Sequence, residues 1–446
     1  MADIKSILKQ TFGASQKSEF ALNSPFRGLG GMSDNLVSKT RGDKFIWAIV
    51  VILTLASLLL VYSSTGSLAY RMSKSTESYL FKQFAFIILG LIIIYFAHRI
   101  NYAIYSRVAL VLFLISIPLL LYTLFFGVQL NAGSRWIKLP VINMTFQTSD
   151  LAKLALFMYM SRLLSRKQNV IKDFKKGFLP IIVPVGIICI LIAPANLSTA
   201  ILIFGTSLML MFIGRVSTKH IMYTLSIAML PIILLISIAV ATYDTKTHET
   251  KKLPAIISAG RIPTWISRIQ TFIYSKKEDD NEKLYQINQA KIAIASGGWL
   301  GRGPGNSEQR NFLPHSYSDF IYAIIIEEYG ILGGALIVFI YLLFLYRCIR
   351  VYRKCPYAFG AFLALALSFT LVIQAIANMG VNVNLFPNTG VTLPLVSMGG
   401  SSFLFTCLAI GIILSVARNV EQQEGKLQPQ VAKVAEEDNT KEDEPE

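Results

Sequence analysis

The feature that most constrains this chain is a series of long apolar blocks. Ala48–Val61 and Phe84–Phe96 hold no charged residue, and Val108–Val128 is longer still. A helix needs about 20 mostly apolar residues to cross bilayer hydrocarbon, and only helices or closed barrels satisfy their backbone there. The blocks predict an all-α polytopic membrane protein with about ten transmembrane helices: 45–63, 79–97, 105–126, 149–165, 178–193, 197–214, 220–242, 319–346, 358–378 and 397–417. Composition agrees, since 15% of the 446 residues are charged against about 25% in a soluble domain.

Lys and Arg in the short loops set the orientation. The stretch before the first span carries Lys39, Arg41 and Lys44, among others. The loop after span four carries Arg166, Lys167, Lys172, Lys175 and Lys176, and the loop after span eight carries Arg347, Arg350, Arg353 and Lys354. The turns after spans five and nine have neither residue. Both termini are thus expected in the cytoplasm, with a large extracytoplasmic loop, 244–318, between helices seven and eight. The formal charge of +16 reads as span-flanking cations facing anionic lipid and not as a nucleic-acid surface. The four cysteines show no disulfide or metal spacing. The first apolar block follows about 44 polar residues, which is not a signal-peptide pattern.

Three segments follow: a mobile cytoplasmic tail at 1–44, a transmembrane domain at 45–418, and an acidic mobile cytoplasmic tail at 419–446. The long loop is too rich in aromatic and branched residues to read as disordered. Leu284–Ser296 within it reads as an amphipathic helix at the interface.

The residues able to carry chemistry cluster toward the outer side. Gly297, Gly298, Gly301, Gly303 and Gly305 form a run that serves either as a plain turn or as a place for close ligand approach, and Arg302 sits among them. Asp319 lies where the chain re-enters the membrane. It reads either as a helix N-cap or as a general base. Glu327 and Glu328 fall about 12 Å deeper on the same helix. Buried carboxylates at such depth are costly and point to function, with a structural link between helices as the other reading of Glu328. Glu327 is expected nearer the Asp319 face.

Between spans three and four, Arg135 and Lys138 flank Trp136, and Asp150 stands one turn from Lys153. These residues are either snorkelling anchors or a cationic seat for phosphate, which Arg grips through a fork and Lys as a point charge. Asn378–Ser402 is apolar yet broken by Gly, Pro and Asn. Irregular backbone at membrane depth survives only where protein or water satisfies it, so this segment is expected to be a re-entrant loop lining a cavity.

Four segments in order resemble the SEDS family (shape, elongation, division, sporulation) over roughly residues 45–418. They are Gly133-Ser134-Arg135-Trp136-Ile137; Gln147-Thr148-Ser149-Asp150 through Lys153; Leu313 through Phe320; and Thr392–Ser402, which includes Ser397, Gly399, Gly400 and Ser401. Gly303, Gly305, Asn306 and Ser307 with Thr392–Leu395 lean toward the cell-division branch, the elongation branch being the near alternative. Asn196 stands where the family has an aspartate, and His315 is displaced from the family's histidine, so neither is assigned a role.

The resemblance implies a ten-helix peptidoglycan glycosyltransferase of the bacterial cytoplasmic (inner) membrane, at the division septum. Its substrate would be lipid II, with Asp319 as base and Lys153, Arg135 and Arg302 holding the pyrophosphate. Asp150, Trp136, Glu327, Ser397, Gly399, Gly400 and Ser401 would support them. No cofactor is evident. A divalent cation is compatible with the chemistry, but the sequence holds no dedicated metal cage. The implied partners are a class B penicillin-binding transpeptidase and other divisome proteins. A lipid II flippase and a non-catalytic scaffold are the competing readings.

Overall fold

Asp43 starts the first helix: its carboxylate accepts from the Phe45 and Ile46 amides and so satisfies donors that a helix start leaves free. The structure is a computed structural model. It describes residues 42–66, 75–130, 133–138, 145–243, 261–274, 282–313 and 316–442, so the tail at 1–41 lies outside the described residues. The helices are α1 Lys44–Ser64, α2 Thr76–Arg99, α3 Tyr102–Phe126, α4 Thr148–Arg166, α5 Leu179–Ile192, α6 Leu197–Ile213, α7 Thr218–Ala241, α8 Ile262–Tyr274, α9 Glu282–Gly297, α10 Ile321–Lys354, α11 Ala358–Asn382 and α12 Ser401–Glu442. Each expected span coincides with a helix, and α8 and α9 fall in the long loop.

Among the described residues eight helices are long and apolar enough to cross a membrane: α1, α2, α3, α5 with its preceding turn, α7, α10, α11 and α12. The other two spans differ for physical reasons. Helix α6 is a shorter apolar helix of 17 residues. Helix α4 carries Asp150, Lys153, Arg162 and Arg166 yet buries most of its length against the bundle, so protein and not lipid surrounds Asp150 and Lys153. Helix α11 is central, with 83% of its apolar window buried, whereas α7 has only 6% buried. Helix α12 continues through the acidic segment as far as Glu442.

Helix α10 breaks at Gly330, whose φ of 71° and ψ of −176° are not helical. The glycine run after α9 covers that break. The amides of Arg302 and Gly303 donate to the carbonyls of Glu327 and Glu328 at 2.9 and 3.0 Å, and the Ile331 amide donates to Gly298 O at 2.9 Å. Contact this close demands glycine: a Cβ on Gly301 would lie 2.2 Å from Glu328 O. The run packs as a backbone sheath over the Gly330 break and does not line the cavity described below.

A small antiparallel sheet joins α3 to α4. Its strands are β1 Val128–Leu130, β2 Gly133–Lys138 and β3 Thr145–Gln147. The register sets Trp136 opposite Gln147, which brings the tryptophan to the start of α4.

Candidate active site

Asp319 does not cap α10. The cap position is Phe320, without a side-chain bond. The first-turn amide of Ala323 instead donates to Asn382 Oδ1, from α11, at 3.0 Å. The Asp319 side chain is thereby left free of a capping role, and its Oδ1 accepts from Ser318 Oγ at 2.6 Å. Its carbonyl accepts from Asn378 Nδ2 at 2.9 Å and Asn382 Nδ2 at 3.0 Å.

The irregular segment after α11 holds the same turn from the other side. Ser397 Oγ donates to Ser318 O at 2.7 Å and accepts from the Leu393 amide at 2.8 Å. The Met398 amide donates to Tyr317 O at 3.0 Å. Ser57 of α1 and Tyr341 of α10 donate to the carbonyls of Val396 and Pro394. Non-helical backbone is thus satisfied by protein at membrane depth, as it must be.

Asp319 opens onto a cavity of about 510 Å³, within the usual range for ligand sites. Of its lining residues Asp150 and Asp319 are acidic, and Lys153, Arg261 and Arg268 are basic. Lys153 Nζ lies 3.3 Å from Asp150 Oδ1 and 3.0 Å from Gln374 Oε1. Gln374 in turn donates to Thr392 O at 3.1 Å. The ammonium is thus steered by one carboxylate and one neutral amide and remains partly exposed. Asp150 Oδ2 is buried without a hydrogen-bond partner.

Arg261 and Arg268 arrive on the long loop. Arg261 immediately precedes α8, its carbonyl accepting from the Trp265 amide at 3.1 Å, and Arg268 lies within α8; both line the cavity. Arg261 Nη1 bonds to Ala195 O. Burial and the nearby Arg261 charge draw Arg268 below the ordinary guanidinium pKa, while Asp319 acts in the opposite direction. Burial, and then the Asp319 charge, push the Tyr317 hydroxyl up.

The sequence-predicted residues divide. Asp319, Lys153, Asp150, Trp136 and Gly399 meet in the cavity wall. Ser397 braces the Asp319 turn. Ser401 Oγ accepts from the Gln147 amide at 3.2 Å, and Gly400 adopts a φ of 54° just before α12; both shape the wall from behind.

Two expectations require correction. Glu327 does not share the Asp319 face. Its carboxylate accepts from Ser307 Oγ and from the amides of Glu308 and Gln309 at 3.1 and 3.3 Å, clasping the turn after the glycine run. Arg302 is not in the cavity wall. It pairs with Glu308 at 2.7 Å, which raises its pKa. Glu328 does link helices, accepting from Ser63 of α1. Arg135 lies on β2, with its side chain outside the described residues, as is His315.

Arg261, Arg268 and Gln374 are the residues that sequence reasoning missed. Asn196 lines the cavity while its Oδ1 accepts from the Thr199 amide at 3.3 Å as the cap of α6. Among the described residues no group of three or more His, Cys, Asp or Glu side chains is arranged to hold a metal.

Fold and cavity together define a class: a multi-pass helical membrane protein that gathers one open carboxylate and three cations at the end of its bundle opposite the Lys/Arg-rich turns. Comparison with known proteins narrows the class. The chain belongs to the FTSW_RODA_SPOVE family, described as cell cycle protein, which matches residues 43–422.

It is 30% identical over 379 residues to the "Probable peptidoglycan glycosyltransferase FtsW" of Geobacter sp. (strain M18), covering 84% of this chain and 96% of that one. It is 32% identical over 389 residues to the protein of the same name from Nitrosococcus halophilus (strain Nc4), covering 85% and 93%. With "Stage V sporulation protein E" of Bacillus subtilis (strain 168) the figures are 30% over 386 residues, covering 85% and 98%.

In fold it resembles a chain from the structure described as "Structural coordination of polymerization and crosslinking by a peptidoglycan synthase complex", with a TM-score of 0.65, 20% identity and coverage of 85% and 99%. It also resembles the rod shape determining protein RodA of Thermus thermophilus, with a TM-score of 0.56, 20% identity and coverage of 83% and 96%.

Proposed function

We propose that this chain is a peptidoglycan glycosyltransferase that polymerises lipid II at the outer face of the bacterial cytoplasmic membrane during cell division. The observation that carries the reading is the meeting of the Asp319 carboxylate with Lys153, Arg261 and Arg268 in one polar cavity. The names of the curated relatives support the reaction class.

The chemistry needs a base and an anion seat. Asp319 takes the proton of the acceptor sugar hydroxyl. That oxygen forms a bond to the donor's anomeric carbon as the bond from this carbon to the pyrophosphate oxygen breaks, and the electron pair leaves with the pyrophosphate. A positioned base contributes about 10²–10⁴ in rate, and cations aimed at the leaving group often contribute more. Lys153 and Arg268 are the cations we assign to the pyrophosphate. Arg261 joins them, and Arg135 is retained from the sequence motif. A class B penicillin-binding transpeptidase and further divisome proteins are the proposed partners; the complex in which a structural neighbour was solved couples polymerization and crosslinking.

The test is lipid II polymerisation by the purified protein with its transpeptidase, comparing wild type with Asp319→Asn at equal folding and equal partner binding. Glycan from wild type alone supports the base. Equal glycan from both removes Asp319 from the mechanism, and lipid II movement across vesicles without any glycan favours transport.

A further inference from the structure

The opposite end of the bundle holds a second hollow, of about 290 Å³. It lies where the C-terminal ends of α4, α6 and α10 meet the first turn of α11. Gln168, Arg215 and Arg353 form its polar wall, and Ile213, Ala358 and Phe362 its apolar one. This end of the molecule is rich in cations, and several are neutralised: Arg347 by Asp43 at 2.6 Å and Lys354 by Glu424 at 2.7 Å. Arg215 and Arg353 form no ion pair or side-chain hydrogen bond with the described residues. Each guanidinium offers five N–H donors, and both border the same concavity.

Two further features favour an anion there. Arg215 follows the end of α6 at a φ of 64°, in the left-handed region that penalises any residue with a Cβ. Glycine would end the helix at no such cost, so strain is kept at a position whose side chain faces the hollow, and retained strain points to function. Helix α11 begins at Ala358 without a side-chain cap, so the positive end of its dipole adds to the two arginines.

The hollow also borders the lipid-facing surface. Met209 and Phe212, one turn apart on α6, are exposed and lead from Arg215 along the apolar length of that helix. A soluble anion would use the arginines but not this apolar track.

We propose that the hollow is a binding site for an anionic phospholipid of the adjacent leaflet. The phosphate headgroup lies between Arg215 and Arg353, and an acyl chain lies along Met209 and Phe212. Basic pockets between membrane helices are a known physical basis for such recognition. The proposal is independent of the glycosyltransferase reading, because no residue of the cavity takes part.

The experiment is native mass spectrometry of the full-length protein released from nanodiscs of equimolar phosphatidylglycerol and phosphatidylcholine with matched acyl chains. Wild type is expected to retain phosphatidylglycerol preferentially. Arg215→Gly, which relieves the positive φ, and Arg353→Gln are each expected to weaken retention roughly fivefold, and together roughly 30-fold. Their unfolding temperatures in neutral detergent serve as the folding check, and either variant that matches wild type there decides the matter alone. Equal retention of the two lipids overturns the proposal. A phosphatidylglycerol preference that survives the double variant also overturns it, by placing the lipid elsewhere. Displacement by inorganic phosphate at equal concentration overturns the lipid as ligand and leaves an anion site.

Discussion

Replacing Asn382 by alanine separates the positioning of Asp319 from its chemistry. Asn382 is 1% exposed, on the last turn of α11. Its Nδ2 donates to Asp319 O at 3.0 Å and to Asn378 O at 2.8 Å, and its Oδ1 accepts from the Ala323 amide at 3.0 Å. Alanine removes all three bonds, while the Ala323 amide keeps its bond to Phe320 O at 3.1 Å. At about 1 kcal/mol per neutral bond, the loss is about 3 kcal/mol. Asn378 still holds the Asp319 carbonyl, so the turn relaxes without being released. A displacement of ~1 Å at a reacting group costs roughly 10²-fold in rate, which is the expected fall in glycan synthesis. Asn382→Asp sharpens the test. It keeps the shape and the acceptor for Ala323 but sets an oxygen against two carbonyl oxygens, and a carboxylate can only accept. If the hydrogen bonds matter, aspartate is worse than alanine; if packing matters, it is milder. Thermal unfolding in detergent and lipid II polymerisation measure the two effects. Wild-type stability and activity in Asn382→Ala, or a milder Asn382→Asp, would refute the reasoning.

Other substitutions test the remaining parts of the site. Arg268→Gln is expected to lower glycan synthesis about 10²-fold at an unchanged unfolding temperature, because its guanidinium has no other partner among the described residues; unchanged synthesis would remove it from the site. Lys153→Met is expected to lower synthesis by about 10²–10³ and to lower the unfolding temperature as well, since Asp150 loses its counter-charge, while Lys153→Arg recovers the temperature. Gly301→Ala is expected to destabilise by about 2–5 kcal/mol, from positive-φ strain and from overpacking against Glu328 O. Gly305→Ala, which meets open space at a similar φ, is the milder control, and equal unfolding temperatures for the two would discount the sheath around Gly330.

The spans were legible because hydrocarbon permits few solutions, and Asp319, Lys153 and Asp150 were legible because charge at a span's edge is conspicuous. Arg261 and Arg268, at the start of α8 and within it, were not. Which way a loop helix faces is decided by tertiary contacts: Gln270 donates to Ala239 O at 2.9 Å and to Thr242 Oγ1 at 3.2 Å, and Tyr274 stacks on Tyr243 with centroids 4.0 Å apart. No local pattern encodes those contacts. Glu327 was misplaced for a different reason. Projecting it onto the Asp319 face assumes one unbroken helix from 319, but α10 starts at Ile321 after a turn, so helical phase does not carry back to Asp319. Glu308 likewise captures Arg302 through a fold of the glycine run that composition leaves open.

Helix α11 carries a further signal in its sequence. Thr370, Gln374, Asn378 and Asn382 recur every four residues along α11, so they share one face, and all four are buried. Gln374 orients Lys153, and Asn378 and Asn382 hold the carbonyl of Asp319. Gln374 and Asn378 also satisfy the carbonyls of Thr392 and Val391 in the irregular segment. One helix face therefore fixes the proposed base, the proposed anion seat and the non-helical wall between them. Neutral amides suit this task better than charges would. A buried amide offers both donor and acceptor and carries a far smaller desolvation cost than an ion, so the helix can be central without demanding counter-ions. The charges of the site can then be confined to the cavity, where the proposed reaction needs a carboxylate free to take a proton and cations free to meet a pyrophosphate. A stripe of Thr, Gln and Asn at helical spacing inside an apolar span thus reads as the mark of a positioning helix, distinct from the residues proposed for catalysis.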